Sequence, residues 1–457
     1  MDVHVIPSPG LGNNSYLLAS EGEAVAVDPP RDAWRVADAA EERGWRIRAV
    51  LETHVHNDYL SGARELRRSR RARIVAPALG GYRFTHLAAE EGLSLAVGSV
   101  VVVARATPGH TPEHLGWEVR DPSGRPLAIF TGGSLLMDGV GRTDLLGASL
   151  ADELAAAQFR TLRSLSELPD DVLVYPTHGA GSFCVAGGSE GPTSGTIGTL
   201  REVNAAFAAP DRAAFERELA MGRTRYPAYY ARMAPLNRRG PRLLGGPPRP
   251  RPLSVDQVAD ARAAGARVVD ARERRAFAGS HVAGSLNVEL GESFAAYVGW
   301  LLPFDAPLCL VVDDPADEAE AATELLRLGF DHVLGHLGGG VAAWAAAGAA
   351  TGSYATVSLE ELRAQASGEG EGPVRILDVR QPSEWQAGSV PGSRRIFVAD
   401  LPAELEALDR SAPWTVTCRS GARAAIAASI LDAAGIPVRA VLRGGVPWLP
   451  AAELVPA

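Results

Sequence analysis

Cysteine and methionine are scarce in this chain: 457 residues hold three cysteines and four methionines. The cysteines, Cys184, Cys309 and Cys418, form an odd, scattered set. This argues against a disulfide framework and suits a reducing compartment. Long apolar runs are missing as well. Stretches such as Val100 to Ala104 fall far short of the roughly 20 residues of a membrane helix. The opening Met1-Asp2-Val3-His4 has neither a basic start nor an apolar run. No secretory leader and no membrane partner are therefore expected, and a cytoplasmic location is. Blocks of like charge are absent too. A net charge of −9 spread along the chain argues against nucleic acid as a partner and favours solubility.

What is present fits soluble globular domains: 46% hydrophobic and 22% charged residues. At about 150 residues per domain the length suggests three domains. From residue 1 to about 200, short apolar strands such as Ser15 to Leu18, Ala24 to Val27 and Ile47 to Leu51 alternate with helical stretches such as Ala33 to Arg43. That alternation indicates layered sheets flanked by helices.

Histidines gather at the ends of these strands. Thr53-His54-Val55-His56-Asn57-Asp58-Tyr59 follows the strand that ends at Leu51, and two histidines and an aspartate at alternate positions can converge on one ion from a short turn. Thr107-Pro108-Gly109-His110 and Pro176-Thr177-His178-Gly179 place two more histidines in turns after apolar runs. Any one of them could be an ordinary hydrogen-bonded histidine. As a set they suggest a metal centre.

These motifs resemble the metallo-β-lactamase fold, whose signature is T-H-x-H-x-D-H, then G-H-T, G-D and H-G. Within that fold the chain is similar to the persulfide dioxygenases. The likeness is carried by the segment from Thr177 to Cys184, by Ser194-Gly195-Thr196-Ile197-Gly198 and by Ala234-Pro235-Leu236-Asn237-Arg238-Arg239-Gly240-Pro241. The resemblance implies an αββα sandwich over residues 1–245, often dimeric, with a metal held by His54, His56, Asp58, His110 and His178. Two positions depart from it: Tyr59 stands where the family has a third clustered histidine, and Gly133 where it has a metal-binding aspartate. Persulfide dioxygenases hold one ferrous iron with two histidines and that carboxylate, so the site is expected to be incomplete as an iron site unless Asp58 substitutes. His54, His56 and His110 would alternatively form a three-histidine zinc half-site. Cys184 is either a sulfur acceptor beside the metal or a packed loop residue.

Alternating prolines in residues 246–252 read as a stiff linker. Residues 253–350 and 354–457 then look like two copies of one unit. Each carries D-x-R (Asp270 to Arg272; Asp378 to Arg380), then G-x-x-x-G-S or its shorter form, and ends in a Gly-Gly stretch before Trp344 or Trp448. Both resemble rhodanese domains, small α/β units with parallel sheets. A soft stretch, residues 367–372, reads as a solvated loop.

The copies differ at one strand end. In the second, Trp414 to Thr417 runs into Cys418-Arg419-Ser420-Gly421-Ala422-Arg423 and an alanine-rich helix. A cysteine just before a helix N-terminus gains support for its thiolate from the dipole and the backbone N–H groups, and the rhodanese likeness makes Cys418 a persulfide carrier. Arg419 and Arg423 are expected to steer an anionic donor. The cradle is one residue shorter than that of a phosphatase of related build, which suits a sulfane sulfur. In the first copy Asp313 or Asp314 is expected at the nucleophile's place and Cys309 in the core, making that copy inactive.

The expected protein is a persulfide-metabolising sulfurtransferase acting on a small persulfide, thiosulfate or a glutathione-type thiol. Its first domain would oxidise or bind persulfides at a mononuclear iron site. The alternatives are a zinc-dependent thioester hydrolase with a rhodanese appendage, and a sulfur-trafficking adaptor whose first domain lacks metal.

Overall fold

The structure, a computed structural model, describes the chain except residues 9, 180–181, 188–192, 222–223, 250, 370–374 and 456–457. Residues 180–181 of the His178 segment, residue 250 of the linker and residues 370–372 of the soft stretch thus lie outside the described residues. The chain divides into two compact units, Met1–Pro247 with Leu326–Gly329, and Pro248–Leu325 with Phe330–Ala457.

The first unit is a sandwich of two six-stranded sheets. One runs Asp2–Ser8, Asn13–Ser20, Glu23–Val27, Arg46–Leu51, Arg73–Pro77, Leu87–Ala89 in spatial and chain order, antiparallel at first and parallel from Glu23–Val27 onward. The other orders Gly195–Thr196, Leu173–Pro176, Pro126–Gly132, Leu115–Arg120, Val100–Ala106, Ser94–Val97. Successive side chains of a strand point to opposite faces, and here both faces are covered. Ala49 and Leu51 join Tyr16, Val75, Trp117 and Phe130 between the sheets. Val50 and Ile74 face the other way and pack with Val36, Ala40 and Leu66 of helices Trp34–Glu42 and Ala63–Arg70. Helix Ala148–Leu165 covers the second sheet through Leu162 and Leu165 against Ile129 and Val174. Helix, sheet, sheet, helix is the layering expected from the resemblance.

The second unit holds two five-stranded, wholly parallel sheets of the same strand order. The first is Pro252–Leu253, Val333–Leu337, Leu308–Val311, Arg267–Asp270, Leu286–Asn287. The second is Ala355–Thr356, Val438–Ala440, Trp414–Thr417, Ile376–Asp378, Arg394–Arg395. The repeated D-x-R does the same work twice. Arg272 grips Asp270 and donates to Ser280 O at 2.9 Å, and Arg380 grips Asp378 and donates to Gly388 O at 2.7 Å. Each arginine thus ties a strand end to the following Gly-rich turn.

Candidate functional site

All five histidine and aspartate positions singled out in the first unit meet at the strand ends. The His54 ring lies 4.2 Å from that of His56, 4.9 Å from His110 and 5.3 Å from His178, centroid to centroid. The rings are held from behind. His54 Nδ1 pairs with Thr53 Oγ1 at 2.8 Å, His110 Nδ1 with the Arg142 carbonyl at 2.7 Å, and His178 Nδ1 with Asn13 Oδ1 at 3.0 Å. Such partners fix ring orientation and aim the remaining nitrogen inward.

Three of these polar atoms have no hydrogen-bond partner among the described residues. His56 Nδ1, His110 Nε2 and Asp58 Oδ1 are buried without a hydrogen bond, and His54 Nε2 faces His178 Nε2 at 3.3 Å. Burying a polar atom without a partner costs on the order of 1–3 kcal/mol. Several at one point are the mark of a site that a cation would satisfy, so the donor set fits a metal ion. The ligand atoms of His54, His56 and His178 lie within 4.8 Å of one another, as do those of His110, His178 and Cys184.

Asp28, Glu52 and His114 complete the centre and were not singled out in the sequence. Asp28 accepts from Thr53 N and Thr53 Oγ1, both at 2.7 Å, and from Thr177 Oγ1. One buried carboxylate therefore anchors the threonines that precede His54 and His178. Its signal was an acid directly after the apolar strand Glu23–Val27. Asp28 and Glu52 also flank His56 Nε2 at 3.3 Å each. Burial alone would lower the His56 pKa, but these two carboxylates raise it to about 10. Burial, together with the neighbouring His178, brings His110 down to about 3. Burial raises the Asp58 carboxyl, but His178 outweighs it and holds the group below its ordinary range.

The two departures from the family pattern have physical accounts. Tyr59 stacks on His56 and its hydroxyl donates to Asp28 O at 3.0 Å, so it supports a ligand rather than acting as one. At Gly133, a Cβ would lie 2.4 Å from His110 Cδ2, and the Gly133 N–H donates to His114 Nε2 at 3.0 Å. The His110 ring fills the space a carboxylate would need. The Asn237 of the Ala234–Pro241 motif clamps the His56 turn, donating to His56 O at 2.9 Å and Tyr59 O at 2.8 Å.

In the second unit Cys418 directly follows strand Trp414–Thr417 and is 1% exposed. The Gly421 N–H donates to its sulfur at 3.1 Å, just before helix Ala422–Ala433. Gly421 sits at φ 102°, and a Cβ there would come within 2.2 Å of Leu442 O, so only glycine fits this turn. Arg419 and Ser420 are exposed at the loop mouth, while Ala422 is half-buried. Arg423 is not free to steer a donor: both of its terminal nitrogens are paired with Glu384, one at 2.8 Å. It locks the loop, which corrects the expected steering role; Arg419 remains at the mouth.

The first repeat differs from expectation in register. Asp270 pairs with Val311 as Asp378 pairs with Thr417, so Val312, buried and apolar, is the counterpart of Cys418. Asp313 and Asp314 fall beyond it, and Asp314 Oδ1 accepts from Ala316 N at the start of helix Pro315–Arg327. Cys309 is a buried strand residue. The repeat nonetheless reaches the Cys418 loop. Arg274 donates to Ser420 O at 3.2 Å, and Trp300 packs edge-on against Phe397, 5.0 Å between centroids.

A model of the metallo-beta-lactamase superfamily matches residues 8–178, and that of the rhodanese-like domain matches twice, over 254–347 and 358–449. A hydroxyacylglutathione hydrolase from Cereibacter sphaeroides (strain ATCC 17029 / ATH 2.4.9) is 34% identical over 187 residues, which are 39% of this chain and 67% of that protein. A metallo-beta-lactamase of known structure from Staphylococcus aureus subsp. aureus COL is 26% identical with a TM-score of 0.66, covering 74% of this chain and 98% of its own. That share is larger than the first unit alone can supply. The structure of ETHE1 from Myxococcus xanthus is 27% identical with a TM-score of 0.45, over 52% of this chain and 98% of its own.

Proposed function

The chain belongs to the metallo-β-lactamase superfamily and continues into two rhodanese-like domains, and from that premise we propose a sulfur-handling enzyme in which Cys418 carries sulfane sulfur. The observation that carries this reading is the Gly421 N–H directed at the Cys418 sulfur in a turn closed to any side chain but glycine's. In the transfer step the Cys418 thiolate attacks the outer sulfur of thiosulfate or of a persulfide. The donor's S–S bond breaks and sulfite or a thiolate leaves with the electron pair. The Cys418 persulfide then passes its terminal sulfur to an acceptor nucleophile, and the thiolate is restored. The Gly421 N–H stabilises the anionic sulfur, and the Arg423–Glu384 pair keeps the loop in shape.

In the first unit His54, His56, His110, His178 and Asp58 would hold the metal. Bound there, iron would supply oxygen activation, and zinc a Lewis acid and a nucleophilic water. The donor set includes both a three-histidine group and a carboxylate. The reading proposed is oxidation or binding of a low-molecular-weight persulfide, so that both units handle the same small sulfur anions. The identity to hydroxyacylglutathione hydrolases favours a second reading, zinc-dependent thioester cleavage. Iron with persulfide-dependent oxygen uptake supports the first. Zinc with thioester cleavage supports the second, and sulfur transfer without either leaves an adaptor. The first repeat, with Val312 at the nucleophile's place, is proposed to wall the Cys418 loop and carry no sulfur. The carrier role itself is tested by thiosulfate incubation followed by intact-mass measurement of the protein and its Cys418→Ser variant.

A further inference from the structure

Cys184 is the buried nucleophilic group that the proposed function leaves without a task. It is fully buried, and its sulfur lies with ligand atoms of His110 and His178 inside a 4.8 Å cluster. The placement is built by the backbone. Strand Gly139–Gly141 pairs antiparallel with Val185–Gly187, and Arg142 N donates to Cys184 O at 2.8 Å while the Arg142 carbonyl is the partner of His110 Nδ1. One residue therefore fixes both the histidine and the cysteine. His110 Nε2, buried with no hydrogen-bond partner among the described residues, belongs to the same group.

We propose that Cys184 is a ligand of the metal centre, its thiolate supplying the anionic donor that Gly133 cannot. Imidazole binds a cation as a neutral ligand, so within the group of His110, His178 and Cys184 the thiolate is the donor that supplies negative charge. Position 133 offers no alternative, because the His110 ring occupies the space a side chain would enter. The Cys184 sulfur also lies 3.7 Å from the Tyr230 hydroxyl. A coordinating metal deprotonates a thiol outright and releases its proton to solvent. Soft thiolate with imidazole favours zinc over an oxygen-activating iron, so the ligand also bears on which reading of the first unit holds.

This inference rests on the metal-centre reading above, and cobalt separates the two. The full-length chain, stripped of metal and reloaded with Co(II), is expected to show an intense near-ultraviolet thiolate-to-cobalt charge-transfer band. The band persists in Cys418→Ser and is lost in Cys184→Ser, with the bound cobalt retained at the same stoichiometry or weakened about 10–100-fold in affinity. Cobalt bound to the unaltered chain without the band overturns the cysteine ligand alone. Failure to bind cobalt at all overturns the metal centre with it. Should Cys184→Ser fail to fold, X-ray absorption of the metal-loaded unaltered chain decides: a sulfur neighbour at about 2.3 Å that persists in Cys418→Ser is expected, and a shell of nitrogen and oxygen alone contradicts the proposal.

Discussion

At the scale of single residues, the Cys418 sulfur is held by the Gly421 N–H and by the loop that the Arg423–Glu384 pair fixes. Cys418→Ser is expected to abolish sulfur loading while leaving the thermal transition in place, because serine fills the same volume. Gly421→Ala is a different kind of change: at φ 102° with Leu442 O in the way, it should cost about 1–3 kcal/mol and sharply reduce transfer, read by denaturant melts beside a sulfur-loading assay. Glu384→Gln leaves the Arg423 guanidinium, 12% exposed, without its carboxylate, and a loss of about 1–3 kcal/mol is expected. The pH dependence has a defined sign. Burial raises the Glu384 pKa, but Arg423 outweighs it and holds the group below the ordinary carboxylate value. As pH falls, the unfolded chain takes the proton first. The pair's contribution is therefore complete above the ordinary carboxylate range and lost as pH drops through the lowered value, and Glu384→Gln should flatten that acid limb.

At the scale of elements, the candidate metal ligands sit on turns after parallel or mixed strands, and the sheet register decides what they touch. The turns themselves were legible. His54, His56, Asp58, His110 and His178 stand in motifs at the ends of recognisable apolar runs, and the D-x-R and Gly-rich signals marked the repeats. What was not legible depends on pairings between distant residues. Asp28 reaches Thr53 only because Glu23–Val27 lies parallel to Arg46–Leu51. His114 supports Gly133 only across the second sheet. The counterpart of Cys418 shifts from Asp313 to Val312 once the Asp270–Val311 register is known. Arg423 looked like a free cation because Glu384 lies 39 residues away in sequence.

Two predictions belong to this scale. His114→Ala removes the acceptor for the Gly133 N–H and a ring stacked 4.8 Å from His54, and should weaken metal affinity about 10–100-fold with the ligands intact, measured by competition with a chromophoric chelator. Metal uptake should also release protons. His56, held at about 10 by Asp28 and Glu52, must give up the proton on Nδ1 before that atom can bind a cation. Affinity is thus expected to fall as pH falls, with proton release seen in a weakly buffered indicator solution.

At the scale of the whole molecule, the chain folds as two compact units, and the tandem repeats have diverged: one has Cys418 at the strand end, and the other has Val312 there and lends Arg274 and Trp300 to its surroundings. Chelation should lower the melting transition of the metal-binding unit, since an ion that binds only the folded state stabilises it by mass action. It should leave sulfur loading of Cys418 unchanged. The most direct measurement is peptide mass mapping after thiosulfate treatment. The account predicts one added sulfur atom on the peptide containing Cys418 and none in Cys418→Ser; an unmodified Cys418, or sulfur found on Cys184 or Cys309 in its place, would contradict it.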